Sequence, residues 1–293
     1  MRVTELFQRG EFVITAEVGP PKGFHIGHLM EEANNYLKGR VTAVNVTDNQ
    51  SSVMRLGSLA TCKALLDEGL TPICQLTCRD RNRMALQTEV LSAAMFGIEN
   101  LLLLTGDHTS LGDNPQSKPV FDLDSVSLIH AVKKLEEGED LGGNKLVGDP
   151  PKFAKGAVVS ACSDSVDVQL AKMEAKVRAG AEYFQTQAVF QPEMFIKFME
   201  TAKGFGVPVM LGVIIPKSAR MASYMNANVA GINVPQEILD ELNKDPEKTK
   251  AGITGVEIAA RIVRECKEYC QGLHIMALGW ESKVPDLLAQ AGL

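Results

Sequence analysis

Eight short apolar and β-branched runs, separated by longer helical patterns, constrain the fold of this chain most. The runs are FVITAEV (12–18), TAVNVTD (42–48), TPICQLT (71–77), NLLLLTG (100–106), GAVVSAC (156–162), EYFQTQA (182–188), PVMLGVI (208–214) and LHIMALG (273–279). Strands that alternate with helices are typical of βα units in a parallel sheet. Eight such units predict an α/β fold, a (β/α)8 TIM barrel with outer helices. A doubly wound open sheet is the alternative, but no GxGxxG motif follows the first run.

Helical patterns fill the spaces between these runs. They include SSVMRLGSLATCKALLDEG (51–69), RMALQTEVLSAAMFG (83–97), VDVQLAKMEAKVRAG (166–180) and PEMFIKFMETAKGFG (192–206), each closed by a glycine suited to a C-cap. Extra helical patterning in segment 226–250 predicts an elaboration of the seventh βα unit. The stretches 106–119 and 138–152, rich in Gly, Pro and Asp, predict loops. Because no repeat or linker divides the chain, we expect one barrel domain over residues 1–293.

Composition excludes several classes of protein. A net charge of -6 without a long Lys/Arg block argues against a nucleic-acid surface, which needs clustered cations. No apolar run approaches the roughly 20 residues that span a bilayer, and the first ten residues lack the apolar core of a signal peptide. Six cysteines without a regular spacing are typical of a protein whose thiols stay reduced and form no disulfide framework. We therefore expect a cytoplasmic protein without a membrane span.

Polar side chains recur at the carboxyl ends of the predicted strands, where TIM barrels carry their chemistry. Glu17 lies at the end of the first run, next to its last residue, and Pro20 and Pro21 then stop the strand because they supply no ladder N–H. A carboxylate at the end of an apolar strand is partly desolvated, which raises its pKa and suits it to proton donation near neutral pH. Glu17 is thus a candidate general acid. An ion pair with Lys22 is the alternative.

Several motifs in register along the chain resemble those of the methylenetetrahydrofolate reductase family. AEVGPPKG (16–23) is similar to the family's FEFFPPK, VNVT (44–47) to VSVT, QLTC (75–78) to HLTC, and LLLLTGD (101–107) to a strand that ends in RGD. Further on, KVRAGAEYFQTQAVF (176–190) and VIIP (213–216) resemble KVDAGA…TQFFF and GILP. The resemblance implies a flavin-bearing barrel that reduces 5,10-methylenetetrahydrofolate in one-carbon metabolism and methionine biosynthesis.

The resemblance also implies roles for single residues. Glu17 matches the general acid that helps to open the imidazolidine ring, and Asp107 matches an aspartate whose negative charge would stabilise a cationic intermediate. A helix or turn cap is the alternative role for Asp107. The flavin-binding positions are matched by Thr47, Gln75, Thr105, Gly106, Asp107 and Lys176, and a folate-binding glutamine is matched by Gln187. Ser160 and Cys162, at the end of the fifth run, and Lys172 are further cofactor-binding candidates.

The chain departs from the family pattern at several positions. Gln75 stands where the family commonly has His, and Thr105 where it has Arg, so two cationic groups are missing. The PEXHP loop after the fifth strand is also missing, which leaves FMN and FAD both open, with a phosphate held by Lys172 or Lys176. Trp280 stands where some members that use pyridine nucleotides have Arg. We therefore expect a separate iron–sulfur subunit, as beside some short members of the family, rather than NAD(P)H as the electron donor. A homo-oligomer is left open.

Other residues carry weaker signals. Cys266 and Cys270 lie one helical turn apart, and His25 and His28 share a loop, but neither pair has enough neighbouring ligands to predict a metal site. Two alternatives to a reductase remain. One is a non-flavin TIM-barrel lyase such as an aldolase, and the other is a non-catalytic barrel subunit of an electron-transfer complex.

Overall fold

Eight parallel strands close into a barrel in chain order in the computed structural model, which describes residues 1–229 and 231–293. The strands are β1 (Val13–Val18), β2 (Ala43–Val46), β3 (Pro72–Thr77), β4 (Asn100–Leu104), β5 (Ala154–Val159), β6 (Tyr183–Ala188), β7 (Val209–Ile214) and β8 (Gly272–Met276). The barrel closes because β8 pairs with β1, from Val13 opposite Gly272 to Glu17 opposite Met276. The predicted TIM barrel is confirmed, and the open sheet is wrong.

The helices lie between the strands as the periodicity predicts. They are α1 (Val3–Gln8), α2 (Gly27–Glu32), α3 (Ser58–Asp67), α4 (Arg83–Met95), α5 (Ser125–Glu136), α6 (Val166–Ala179), α7 (Pro192–Ala202), α8 (Ala219–Asn228), α9 (Gln236–Lys244), α10 (Pro246–Lys250), α11 (Ile253–Cys266) and α12 (Val284–Ala291). Helices α8, α9 and α10 precede α11, the main crossover helix after β7, so the predicted elaboration of the seventh unit is confirmed. Among the described residues, no helix is long and apolar enough to cross a membrane.

Three boundaries differ from the sequence-based expectation. Helix α3 begins at Ser58 rather than near residue 51, because Asn49, Ser51 and Ser52 have positive φ angles that a right-handed helix excludes. Strand β8 ends at Met276, since Leu278 and Gly279 have φ angles of 54° and 82°. Strand β5 begins two residues early, at Ala154, and ends at Val159, which leaves Ser160 and Cys162 in the following loop.

The barrel interior is layered, because every second side chain of a strand points inward. The lower layer is apolar and is covered by α1; it contains Val13, Ala43, Ile73, Leu102, Ala154, Tyr183 and Met210, with Val3 and Leu6 of the helix. The next inward positions carry buried polar side chains, namely Thr15, Asn45, Gln185 and His274. Glu17 lies one further inward position along β1. The carboxyl end of the barrel is therefore polar well below its rim.

Candidate active site

A cavity of about 530 Å³ opens at the carboxyl end of the barrel. Most of the residues selected from the sequence line it, namely Glu17, Gln75, Thr105, Gly106, Asp107, Ser160, Lys172, Lys176 and Gln187. Its volume is within the range of ligand pockets, about 300–1,000 Å³. Positions scattered over 170 residues of the sequence thus meet in one place.

Glu17 is a buried carboxyl group held by two neutral amides. Gln75 Nε2 donates to its Oε2 and Gln50 Nε2 to its Oε1, both at 3.1 Å. Burial raises the pKa of Glu17 to about 7, because the desolvation of a carboxylate outweighs what these two donors restore. Lys22, the alternative partner, forms an ion pair with Asp113 instead. Glu17 can therefore hold a proton and release it near neutral pH.

A hydrogen-bonded layer lies directly beneath Glu17. Asn45 and Gln185 pair their amide groups reciprocally at 3.0 and 3.1 Å, and Gln185 Nε2 also lies 3.3 Å from Thr15 Oγ1. Since Thr15 Oγ1 accepts from Gln185, its hydroxyl hydrogen is free to donate to His274 Nδ1, 2.9 Å away. Burial lowers the pKa of His274 to about 3, so the ring is neutral.

This hydrogen bonding also sets the tautomer of His274. With Nδ1 accepting from Thr15, the ring proton lies on Nε2, which is 3.8 Å from Glu17 Oε2. The layer therefore directs a neutral N–H toward the carboxyl group. The sequence analysis missed His274 because the residue lies within a strand and not at its end.

The segment after β4 packs closely against the end of β3 at Gly106. Its φ is 93°, and a Cβ there would lie 3.1 Å from Thr77 Cβ and 3.2 Å from Arg79 Cβ. Only glycine meets both conditions without strain. Thr105 Oγ1 accepts a hydrogen bond from Ser125 N at the start of α5. Asp107 is exposed and lines the cavity. Its carboxylate makes no hydrogen bond within the described residues. Asp107 is therefore not a helix cap.

Two lysines of α6 form another part of the cavity wall, together with Ser160. Lys176 Nζ donates to Val158 O at 2.7 Å. Burial, together with the charge of Lys172, lowers the pKa of Lys176 to about 8. Two neighbouring ammonium groups in a cavity suit an anionic group such as a phosphate.

Two predicted cofactor-binding residues do not line the cavity. Thr47 is buried, and its Oγ1 has no hydrogen-bond partner among the described residues. Cys162 is buried with its Sγ 3.8 Å from Gln191 O, and burial raises the pKa of its thiol to about 11. Strand β5 ends at Val159, so Cys162 lies in the following loop and not at the strand end where the sequence analysis placed it.

The loop after β3 supplies charged residues that the sequence analysis overlooked. Arg79 lines the cavity. Arg81 donates two hydrogen bonds to the carboxylate of Asp48, at 2.7 and 3.1 Å, and Asp48 also accepts from Thr77 N. These charged residues stand in the sequence as the run CRDRNR (78–83), immediately after the strand end.

The remaining titratable pairs lie away from the cavity. His25 and His28 line a second, smaller cavity of about 230 Å³ with Glu32 and Glu281. Cys266 and Cys270 are buried thiols, and Cys270 Sγ lies 3.3 Å from Gly272 O. Over residues 1–229 and 231–293, no three His, Cys, Asp or Glu side chains are grouped so that they could hold a metal ion.

Comparison with known proteins identifies the family. The family model for methylenetetrahydrofolate reductase matches residues 2–292. The chain belongs to the methylenetetrahydrofolate reductase family. Methylenetetrahydrofolate reductase 2 of Schizosaccharomyces pombe is 25% identical over 248 residues, which is 80% of this chain and 38% of that protein. The 5,10-methylenetetrahydrofolate reductase of Pectobacterium carotovorum is 25% identical over 264 residues, 87% of this chain and 82% of that protein.

Relatives within the family differ in length. The probable methylenetetrahydrofolate reductase (NADPH) of Caenorhabditis elegans is 23% identical and covers 100% of this chain, which matches only 44% of that protein. This chain thus spans about two fifths of the eukaryotic reductases that it matches. Among solved structures, a Clostridium thermocellum protein that binds two copies of 5-methyl-5,6,7,8-tetrahydrofolic acid has a TM-score of 0.70 and 14% identity, over 99% of this chain and 98% of that one. That likeness supports the barrel fold.

Proposed function

We propose that this chain reduces 5,10-methylenetetrahydrofolate to 5-methyltetrahydrofolate, with a flavin as its cofactor, and that one barrel over residues 1–293 carries both sites. The observation that carries the proposal is Glu17: a buried carboxyl group with a pKa of about 7 in the main cavity. A general acid for this reaction needs a pKa near the working pH. The Clostridium protein named above binds a methylated folate on a similar fold, which supports a folate ligand.

The residues around the cavity fit a flavin. Gly106 lines the cavity with backbone alone, and a Cβ there would meet Thr77 and Arg79. Gln75 and Ser160 offer polar groups, and Lys172 with Lys176 offers cations for a phosphate. When bound, the flavin supplies the hydride, and the choice between FMN and FAD stays open.

Glu17 has the central role in proton transfer. It donates a proton to the ring nitrogen that leaves the methylene carbon, so that the five-membered ring opens and a cationic iminium group forms. The amide groups of Gln75 and Gln50 then stabilise the carboxylate that remains. Addition of one hydride to the iminium carbon completes the methyl group, which accounts for both electrons.

Asp107 and Gln187 act on the substrate. The exposed carboxylate of Asp107 provides a fixed negative charge in the cavity for the iminium cation. Gln187 Oε1 accepts from Ala188 N at 3.0 Å, which turns its NH2 group away from its own backbone and leaves it as a donor for the folate.

One observation favours a different reaction. Lys176 lines the cavity and its pKa is lowered to about 8, a property that Schiff-base lysines share. A TIM-barrel lyase of the aldolase type is therefore the second candidate. Borohydride reduction in the presence of a carbonyl substrate would attach that substrate covalently to Lys176 in a lyase and would leave a reductase unlabelled.

The visible spectrum of the purified protein is the first test. Flavin absorbance, with bleaching by dithionite and recovery on addition of 5,10-methylenetetrahydrofolate, is the expected result. A colourless protein that takes up neither FMN nor FAD contradicts the proposal. A flavoprotein whose reduced form does not react with the folate would support the non-catalytic barrel subunit. Mass spectrometry of the released chromophore separates FMN from FAD.

A further inference from the structure

Arg79 is the largest of the fully buried side chains in the described part of the chain, with 1% of its surface exposed. It follows β3 and lines the main cavity. An arginine this deeply buried loses much hydration, so its charge must be met by acceptors in the fold. Each guanidinium N–H of Arg79 therefore needs an acceptor, either in the fold or in the cavity.

Four of the five N–H groups have partners. Nε and Nη2 donate to the two carboxylate oxygens of Asp80 at 2.8 and 2.6 Å. Nη2 also donates to Asn49 O at 3.2 Å, and Nη1 to Asp107 O at 3.3 Å. Because a guanidinium carries five N–H donors, one N–H of Nη1 has no partner among the described residues.

These contacts join the segments that follow three neighbouring strands. Asn49 follows β2, Arg79 follows β3 and Asp107 follows β4. The stem of Arg79 also packs under Gly106, where a Cβ would lie 3.2 Å from Arg79 Cβ. Arg79 therefore holds the backbone of Asp107 and limits how closely the Gly106 segment can pack against the end of β3.

Among the described residues, the carboxylate that accepts hydrogen bonds from Arg79 is that of Asp80. Burial alone would raise the pKa of Asp80, but hydrogen bonds from Arg79 and Asn49 hold it below its ordinary value, so Asp80 is ionised. Asp80 lies on the outer side and is 32% exposed, whereas the Arg79 side chain is 2% exposed. Gln75 and Thr105, which also line the cavity, carry no charge. Arg79 is thus an arginine of the cavity wall that is bonded to the backbone of Asp107.

We propose that Arg79 is a cofactor-positioning residue that holds the Asp107 segment and places its positive charge in the wall of the flavin cavity. The proposal rests on the proposed function. Two-electron reduction leaves negative charge on a flavin ring, and a nearby cation stabilises that reduced form relative to the oxidised one. Arg79 would in this way replace the cationic groups absent at Gln75 and Thr105.

The test is the midpoint potential of the flavin-loaded protein, measured by redox titration. In Arg79→Met we expect reduced flavin to bind about tenfold more weakly relative to oxidised flavin, which lowers the potential by about 30 mV for a two-electron couple. In Asp80→Asn we expect a shift of opposite sign, because the charge of Arg79 is then less compensated. A purely structural role for the Arg79–Asp80 pair would not give shifts of opposite sign.

Two further variants complete the design. Arg79→Lys keeps the charge without the planar fork, so its potential should stay closer to that of the unaltered protein than the potential of Arg79→Met. Arg83→Met removes an exposed arginine at the start of α4, paired with Asp122, and should leave the potential unchanged. If Arg79→Met does not fold, the Asp80→Asn and Arg79→Lys potentials decide.

The outcomes separate this proposal from the proposed function. An unchanged potential in folded Arg79→Met, or shifts of the same sign in Arg79→Met and Asp80→Asn, overturns the role of Arg79 alone. An unaltered protein that binds neither FMN nor FAD overturns both proposals.

Discussion

Nε2 of His274 lies 3.8 Å from Oε2 of Glu17, inside the barrel and beneath the main cavity. His274 is neutral because burial lowers its pKa to about 3, and Thr15 fixes its tautomer. The proposed general acid therefore has a neutral N–H facing it from below, in addition to the amides of Gln75 and Gln50. This arrangement leaves the proton on Glu17 available without an opposing permanent charge.

Glu17→Gln should retain flavin and lose most folate reduction. Because general acid steps contribute about 10²–10⁴-fold, oxidation of the reduced flavin by 5,10-methylenetetrahydrofolate should slow by that factor. Stopped-flow absorbance of the folate half-reaction measures it. Glu281→Gln, a buried glutamate in the second cavity, is the matched control and should react at the normal rate. Near-normal folate reduction in Glu17→Gln would remove Glu17 from the mechanism.

The pH dependence of stability should report the buried carboxyl group. The native state of Glu17 holds its proton up to about pH 7, whereas the unfolded chain releases it near 4.5. The native state thus binds more protons between these values, so this group lowers stability as pH rises from 4.5 to 7. Glu17→Gln should remove a penalty of about 3 kcal/mol above pH 7, at about 1.36 kcal/mol per pKa unit, and little at pH 4. Urea unfolding at both pH values measures the difference, and equal effects at pH 4 and pH 8 would contradict the raised pKa.

Asp107→Asn should slow folate reduction more than flavin reduction by an artificial donor. The carboxylate would stabilise a cation that forms on the folate only, so the two half-reactions should respond unequally. Rapid-reaction kinetics of each half-reaction provide the comparison, with Asp113→Asn as the control because Asp113 pairs with Lys22 on the surface. Equal losses in both half-reactions would assign Asp107 to cofactor binding or folding.

His274→Leu should shift the pH profile of folate reduction to higher pH. The substitution replaces a polar ring 3.8 Å from Glu17 Oε2 by an apolar side chain, which disfavours the charged carboxylate, so the pKa of the acid rises and its protonated form persists further above pH 7. Met276→Leu changes another cavity residue of the same strand without changing a polar group, and should keep the normal profile. A profile unchanged by His274→Leu would show that the layer beneath Glu17 serves stability alone.

The isolated protein should be reduced poorly by NADH, because we expect the electron donor to be a separate iron–sulfur subunit. Trp280 follows β8, and Lys217 Nζ lies 5.0 Å from its ring centroid while it also donates to Leu278 O. Anaerobic stopped-flow mixing with NADH or NADPH should bleach the flavin too slowly for turnover. Rapid and complete bleaching would restore a pyridine nucleotide as the donor.

The amino-acid sequence by itself determined the barrel and the general location of the candidate site. Strand and helix periodicities are local, so eight βα units could be counted without tertiary contacts, and the strand-end rule then placed Glu17, Gln75 and Asp107 together. Boundaries at Asn49 and Leu278 were missed because left-handed backbone at non-glycine residues leaves little trace in composition. Cys162 was misplaced in relation to the cavity for a similar reason, since the end of β5 could not be located to the residue.

Only the tertiary structure decided how the polar residues are connected. His274, Gln185 and Asn45 come from strands far apart in sequence, and their hydrogen bonds exist because barrel closure brings inward positions of β8, β6 and β2 to one level. The raised pKa of Glu17 depends on that closure, since burial is a property of the surroundings and not of the residue. The direction of the Arg79 side chain likewise follows from carbonyl groups after β2 and β4, which no local pattern around residue 79 encodes.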